Sequence, residues 1–366
     1  SGPAEAQDKL LDAAEEELDR VWSQLSERPE PAYWIGLGMT DYRSIQIQAT
    51  NGAVEQPLER HRRLADIDVR VGSHSLDNTH PLRDAGWFNE DTHFATYLPI
   101  ENNPTAIKTA LWRSFDDAYR AGVRRLIKVR SNNAVKVEME DASPDFSPGE
   151  PVTELMDTRK LSLDAESWTP RMKEASAAFL EYPAVMDSNV VLTAESEILY
   201  TLNTEGTRVR QQRIHYRLSV WAAAVADDGM QIQTFEYVDS ATEDGLPTDE
   251  EIKELVHVAA LNVMELLEAP VVDPYVGPAI LRGRAAAVFF HEILGHRVEG
   301  HRQKYDSEGK TLTDKVGQQI FPSFLSVADD PTLEQWSGQD LNGHYVYDDE
   351  GTPAERVEIV EDGVLR

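Results

Sequence analysis

The sequence predicts an α+β fold: a duplicated helix and antiparallel-sheet region, followed by a β-rich C-terminal domain that carries a histidine-rich helix. Three observations point there. Stretches with apolar residues every three or four positions alternate with stretches of two-residue alternation. The order of these stretches recurs at a fixed offset. The patterning then changes after residue 270.

The first element, residues 8–26, spaces Leu11, Ala14, Leu18, Val21, Trp22 and Leu25 as one face of an amphipathic helix, closed by Pro29 and Pro31. YRSIQIQAT, a turn at Asn51-Gly52, and RRLADIDVRVG read as strand, tight connection and strand. A second helix starts after Asn103-Pro104 and carries Ile107, Leu111, Phe115 and Ala118 on one side. Residues 142–152, ASPDFSPGEPV, read as a linker or surface loop.

The same order then returns. DAESWTPRMKEASAAFLEY is helical up to Pro183, EILYTLNTEG alternates to Gly206, and RLSVWAAAVADDG answers RRLADIDVRVG. Pro183 minus Pro29, Gly206 minus Gly52 and Leu218 minus Leu64 each give 154, which argues for an internal duplication. A helix with a Thr248/Glu251 capping box and a stripe of Ile252, Leu255, Val256, Ala259, Val263 and Leu266 ends the second copy. The expected units are residues 1–155, 156–270 and 271–366. In the last, VVDPYVGPAIL is expected as a strand or buried connection, and 343–347, 355–360 and the Asp362-Gly363 turn as hairpin material.

Composition narrows function by exclusion. With 35 Lys and Arg against 65 Asp and Glu, the formal charge of −30 would repel a phosphate backbone, so no nucleic-acid partner is expected. No apolar run approaches bilayer length, so no membrane partner is expected either. Without cysteine, any metal must be held by His, Asp or Glu. A cytoplasmic location is expected. The Ser-Gly-Pro start leaves open a tag remnant, a trimmed chain, or an exported form that has lost its signal peptide.

Residues 289–301, FFHEILGHRVEGH, concentrate the chemistry. Helical zinc sites usually pair histidines four residues apart, which puts them roughly 40° apart on the helix surface. His291 and His296 are five apart, about 140° on a regular helix, so a shared metal requires deformation. A π-bulge supplies it, and Gly295 tolerates it. Glu292, beside the first histidine, could take a proton from a water that the ion has acidified and pass it to a leaving amine. The run AAAVFF is expected to bury the helix start and aim His291 and Glu292 at an interior cleft. Glu299 and His301 are candidates for a spare ligand or supporting partner, against the plainer reading of a solvated helix face. Tyr275 and Arg282 are candidates for substrate contact, with core packing and surface charge as the defaults.

HEILGHRVEG resembles the metal motif of the TldD/PmbA family, zinc-dependent peptidases also called modulators of DNA gyrase. RRLADIDVRVGS with LDNT (76–79) is similar to the family's N-terminal strand region, and SVADDPT with YDDEGTPAERVEIVEDGVL to its C-terminal domain. Asp348, Asp349 and Glu350 resemble a family signature, with metal binding as the lesser reading beside a simple hairpin turn. The resemblance implies an α/β N-terminal region, a β-rich C-terminal domain, homodimers or heterodimers with a paralogue, and cleavage of short or unfolded peptides. It carries Zn2+ ligation to His291 and His296 and catalysis to Glu292. The family's third ligand, a downstream cysteine, has no counterpart here, so the chain looks like a C-terminally truncated member, or one that needs another segment or subunit to finish its site. A catalytically incomplete peptide-binding or assembly subunit is the alternative. Action on DNA or gyrase is disfavoured by charge.

Overall fold

The computed structural model describes residues 8–82, 93–133, 143–300 and 310–366. Helix α1 (Lys9–Leu25) is capped by Asp8, whose carboxylate accepts from the Leu11 N–H at 3.2 Å. It buries Leu11, Ala14, Leu18, Val21 and Leu25. Strand β1 (Ala32–Thr50) turns at Asn51 and Gly52, both at positive φ, into short β2 (Ala53–Val54) and long β3 (Leu58–Ser73). Then come β4 (Leu76–Asp77), β5 (His93–Leu98) and α2 (Pro104–Asn133). The Asn103 side chain caps α2 by accepting from Thr105 and Ala106, and Ile107, Leu111, Phe115 and Ala118 are all buried.

The order repeats downstream. After β6 (Thr153–Leu155) the chain forms α3 (Ala165–Ala177), β7 (Asp187–Asn203), β8 (Arg208–Val225), β9 (Gln231–Ser240) and α4 (Asp249–Glu268). Thr248 and Glu251 form the expected capping box. The α4 stripe is buried through Ile252, Val256, Ala259 and Val263 but not to its end, since Leu266 overruns its neighbours and is half exposed.

Both halves build one sheet. Its spine is β3-β1-β7-β8, with β4 and β5 on the outer side of β3 and β6 and β9 on the outer side of β8. All pairs are antiparallel except β6 with β8. Leu37 and Met39 of β1 join an apolar cluster with α1 and α2, while Ile47 and Ala49 join a second with α3 and α4. These four residues alternate in step, so both clusters lie on one face of the sheet. Between them on that face, buried Asp41 accepts from Arg63 at 2.6 Å and meets His61 at 2.8 Å.

Pairing corrects the offset of the repeat. Partner numbers add to 104 across β1–β3 (Gly38 with Asp66) and to 410 across β7–β8 (Leu192 with Leu218); the difference, 306, is twice 153. An offset of 154 would place equivalents on opposite faces. Leu218 is fully buried under α3 and α4, whereas Leu64 alternates with buried Ala65 and lines a cavity on the face opposite α1–α4.

Beyond α4 the chain changes character. Residues 269–282 form no strand, and Val276 is 99% exposed, which corrects the expectation of a strand or buried connection. Pro274 and Pro278 lack donors for a ladder, and no strand is paired with this stretch. Helix α5 (Gly283–Phe290), a π-helical turn (His291–Gly295) and α6 (His296–Val298) follow. Short strands β10 (Val327–Asp329), β11 (Gln335–Trp336), β12 (Gln339–Asp340), β13 (Val357–Glu361) and β14 (Val364–Leu365) complete the fold. The β13–β14 hairpin turns at Asp362 and Gly363, both at positive φ. Residues 343–347 form no strand and contribute only an isolated bridge, Tyr347 to Pro353.

The C-terminal region is tied to the sheet. Gln211 of β8 donates to the Tyr347 carbonyl at 2.7 Å and accepts from the Val346 and Tyr347 amides. Asp340 accepts from the Ala241 N–H at 2.7 Å.

Candidate metal centre

Helix α5 starts at Arg282, whose side chain makes no capping bond, and is anchored one residue into the helix instead. The Arg284 guanidinium lies 4.6 Å from the Phe235 ring and 5.3 Å from the Tyr237 ring of β9, and donates to the Phe235 carbonyl at 3.1 Å. This contact, which fixes the helix against the sheet edge, was not read from the sequence. Its signal was an arginine at the helix start together with an aromatic pair in TFEYV.

The turn after α5 winds more widely, as five-residue spacing between two converging histidines demands. Gly295 carries backbone angles of −47° and −59°, helical values open to any residue; a Cβ there would meet only ordinary contacts at 3.9 Å. The His291 and His296 rings come to 4.4 Å between centroids, at 72° to each other. One ligand atom from each of His291, Glu292 and His296 lies within 4.8 Å of the others. The Glu292 carboxylate is 4.0 Å from His291 Nε2, and Glu299 reaches back to His296 Nδ1 at 2.7 Å.

Burial differs from expectation. Val288, Phe289 and Phe290 are 59%, 44% and 39% exposed, and α5 buries none of its residues. The two phenylalanines pack edge to face on each other, and of the π-helical turn only Leu294 is buried. His291 and Glu292 therefore stand in solvent, at 61% and 62% side-chain exposure, rather than in an interior cleft. Composition alone could not foresee this, because AAAVFF is equally apolar whether or not anything covers it.

Other candidates are placed plainly. Tyr275 is 75% exposed and its hydroxyl makes a long local contact, 3.4 Å, to the Pro278 carbonyl. Asp348 accepts from the Glu350 and Thr352 amides at 2.9 and 2.8 Å, which makes 348–352 a side-chain-stabilised turn. His301 lies outside the described residues. A cavity of about 580 Å³ opens on the sheet face opposite α1–α4, lined by Gly36, Gly38, Leu64, Asp349 and Glu350 among others, and none of His291, Glu292 or His296 lines it.

Fold and site define a class: an α+β protein in which a short β-rich region presents a His-Glu-His donor set beside the edge of a long antiparallel sheet. Residues 275–366 match the model of the PmbA/TldA metallopeptidase C-terminal domain. It is 29% identical over 138 residues to a metalloprotease of Archaeoglobus fulgidus, covering 37% of this chain and 28% of the relative. It is 30% identical over 114 residues to the Haemophilus influenzae metalloprotease TldD homolog, covering 31% of this chain and 21% of the relative. These matched stretches are thus under a third of either relative's length.

Solved structures share the fold across nearly the whole chain. A Thermotoga maritima protein described as a modulator of a DNA gyrase superposes with a TM-score of 0.60 at 17% identity, covering 96% of this chain and 70% of its own. TldE from Thermococcus kodakarensis gives 0.56 at 16%, covering 97% and 69%.

Proposed function

We propose that this chain supplies the zinc-binding residues of a metallopeptidase that hydrolyses short or unfolded peptides, with His291 and His296 as ligands and Glu292 as the catalytic base. The observation that supports it most is the convergence of the three side chains on one side of the π-helical turn. The donor set suits zinc, which takes imidazole nitrogen readily and leaves an open position when catalytic. It supplies two imidazoles where catalytic zinc has three protein ligands, so a third comes from outside the described residues.

When bound, the ion would polarise the scissile carbonyl and acidify the attacking water. Everything else falls to the chain. Each imidazole offers one lone pair. Glu292 accepts the proton of the attacking water as its oxygen bonds to the carbonyl carbon, then delivers that proton to the nitrogen as the C–N bond breaks. Water and peptide become a carboxylic acid and an amine, and Glu292 is restored.

Such chemistry works best with water excluded, and an open site asks for a cover. Val271, Val272, Val276, Ile280 and Phe289 form exposed apolar surface in the segment leading to the site, which supports a homodimer or a heterodimer with a paralogue. TldE is among the structural neighbours. Among the described residues no helix is long and apolar enough to cross a membrane. A second reading, a peptide-binding or assembly subunit without catalysis of its own, is favoured by the exposure of His291 and Glu292.

Zinc analysis with the Glu292→Gln variant tests the proposal. We expect about one zinc per site in both forms, and peptide turnover lowered by 10²- to 10⁴-fold in the variant, the usual worth of a general base. Retained turnover would remove Glu292 from the role. Absent zinc with retained peptide binding would favour the subunit reading.

A further inference from the structure

We infer that Glu299 is a positioning residue that fixes the tautomer and orientation of His296 for metal binding, an inference that rests on the metal centre proposed above. Helix α6 ends one residue before Glu299, which takes extended backbone angles of −61° and 115° at the C-cap. Leaving the helix there, its side chain folds back three residues, and Oε1 lies 2.7 Å from His296 Nδ1. An ionised carboxylate has no proton to give, so the neutral imidazole must donate from Nδ1. The remaining lone pair then sits on Nε2.

Glu299 acts through His296 and not as a ligand. The group whose ligand atoms lie within 4.8 Å of one another contains His291, Glu292 and His296, without Glu299. The two imidazoles are therefore unequal. His291 faces Glu292 at 4.0 Å, beyond hydrogen-bond range, whereas His296 is held by a short bond. Carboxylates that hold the far nitrogen of a histidine ligand are a recurrent device for making the ring a better and better-aimed donor. A surface pair with no bearing on the ion would have the same sequence spacing, but its removal would leave the metal affinity unchanged. With 37% and 30% of the two side chains exposed, this ion pair itself adds little to stability.

Two readouts decide it. In the metal-free protein at alkaline pH, long-range ¹⁵N NMR of the His296 ring should find the proton on Nδ1. Glu299→Ala should move the population to the Nε2–H form, and Glu299→Gln, whose amide oxygen still accepts, should keep it on Nδ1. By chelator competition, zinc affinity should fall 10- to 100-fold in Glu299→Ala and recover most of that in Glu299→Gln. Unchanged melting would show that both variants fold. A proton on Nε2 in the unmodified protein, or equal zinc affinity in Glu299→Ala, would overturn the inference. Failure of the unmodified protein to bind zinc would sink the metal centre itself, while the tautomer measurement would still decide what Glu299 does to His296.

Discussion

The site depends on a count of residues, and changing the count tests it. On a regular helix, with side-chain ends 5–6 Å from the axis and a rise of 1.5 Å per residue, rings five positions apart stand roughly 13 Å apart. The His291 and His296 centroids are 4.4 Å apart because the turn between them is π-helical. Deleting Gly295 restores a four-residue spacing at about 40°, where a regular turn brings two imidazoles together without deformation. Inserting an alanine after Gly295 makes six steps, about 120° and again roughly 13 Å. Both changes fall after Leu294, so the buried contact of the turn is kept, and the helical residues beyond it number only three. We expect the deletion to hold zinc within about tenfold of the unmodified protein. The insertion should weaken it by more than about 100-fold, since even outer partners of a ligand are worth 10- to 100-fold. Chelator competition measures the affinities, and far-ultraviolet circular dichroism checks that the sheet is untouched. An insertion variant with unmodified affinity, or a deletion variant as weak as the insertion, would refute the geometric reasoning.

Three further outcomes follow from the sheet. Asp41→Ala leaves Arg63 buried with its charge uncompensated between the two apolar clusters and should cost about 3–5 kcal/mol in urea unfolding. Adding Arg63→Met should recover most of that, and a loss under about 1 kcal/mol for Asp41→Ala alone would contradict this account. Thr248→Ala removes the cap of α4 and should cost about 1 kcal/mol by the same measurement, with Thr248→Ser close to neutral; equal losses in the two would argue against capping. Burial of Asp239 pushes its carboxyl upward, but hydrogen bonds and charge from Arg217 and His215 outweigh this and hold it below the ordinary 3.8. Its contribution is therefore complete at neutral pH and is lost as pH falls below 3.8 through the folded-state value. Stability measured from pH 6 to 2 should fall less steeply in Asp239→Asn, and parallel curves would remove Asp239 from the acid response.

The helices were legible because each pattern is local. Leu11, Ala14 and Leu18, or Ile107, Leu111 and Phe115, repeat at the helical period, and burial follows the period directly. Capping at Thr248 was legible for the same reason, since both partners lie within one turn. The convergence of His291, Glu292 and His296 was legible through spacing, and the five-residue interval between the histidines already demanded a wider turn. Exposure was not legible there. Nothing in AAAVFF says whether an apolar helix start is covered, because a cover comes from elsewhere in the fold or from another molecule.

The repeat was legible in order but misjudged by one residue, and the reason is instructive about sheets. Matching proline to proline and glycine to glycine counts residues along the chain, turns included, whereas a sheet counts faces. Around Asn51-Gly52 the pairs Ala49–Val54 and Thr50–Ala53 add to 103, and further along the hairpin the pairs add to 104, so one residue is taken up near the turn. The second hairpin keeps 410 along its length. A single residue absorbed near a turn shifts the punctuation against the faces and turns an offset of 153 into an apparent 154. Because side chains alternate, that residue decides everything beyond it: it puts Leu218 in the core and leaves Leu64 facing the other way. Equivalence between two copies of a hairpin is therefore set by which residues share the buried face, and turn residues are the poorest guide to it.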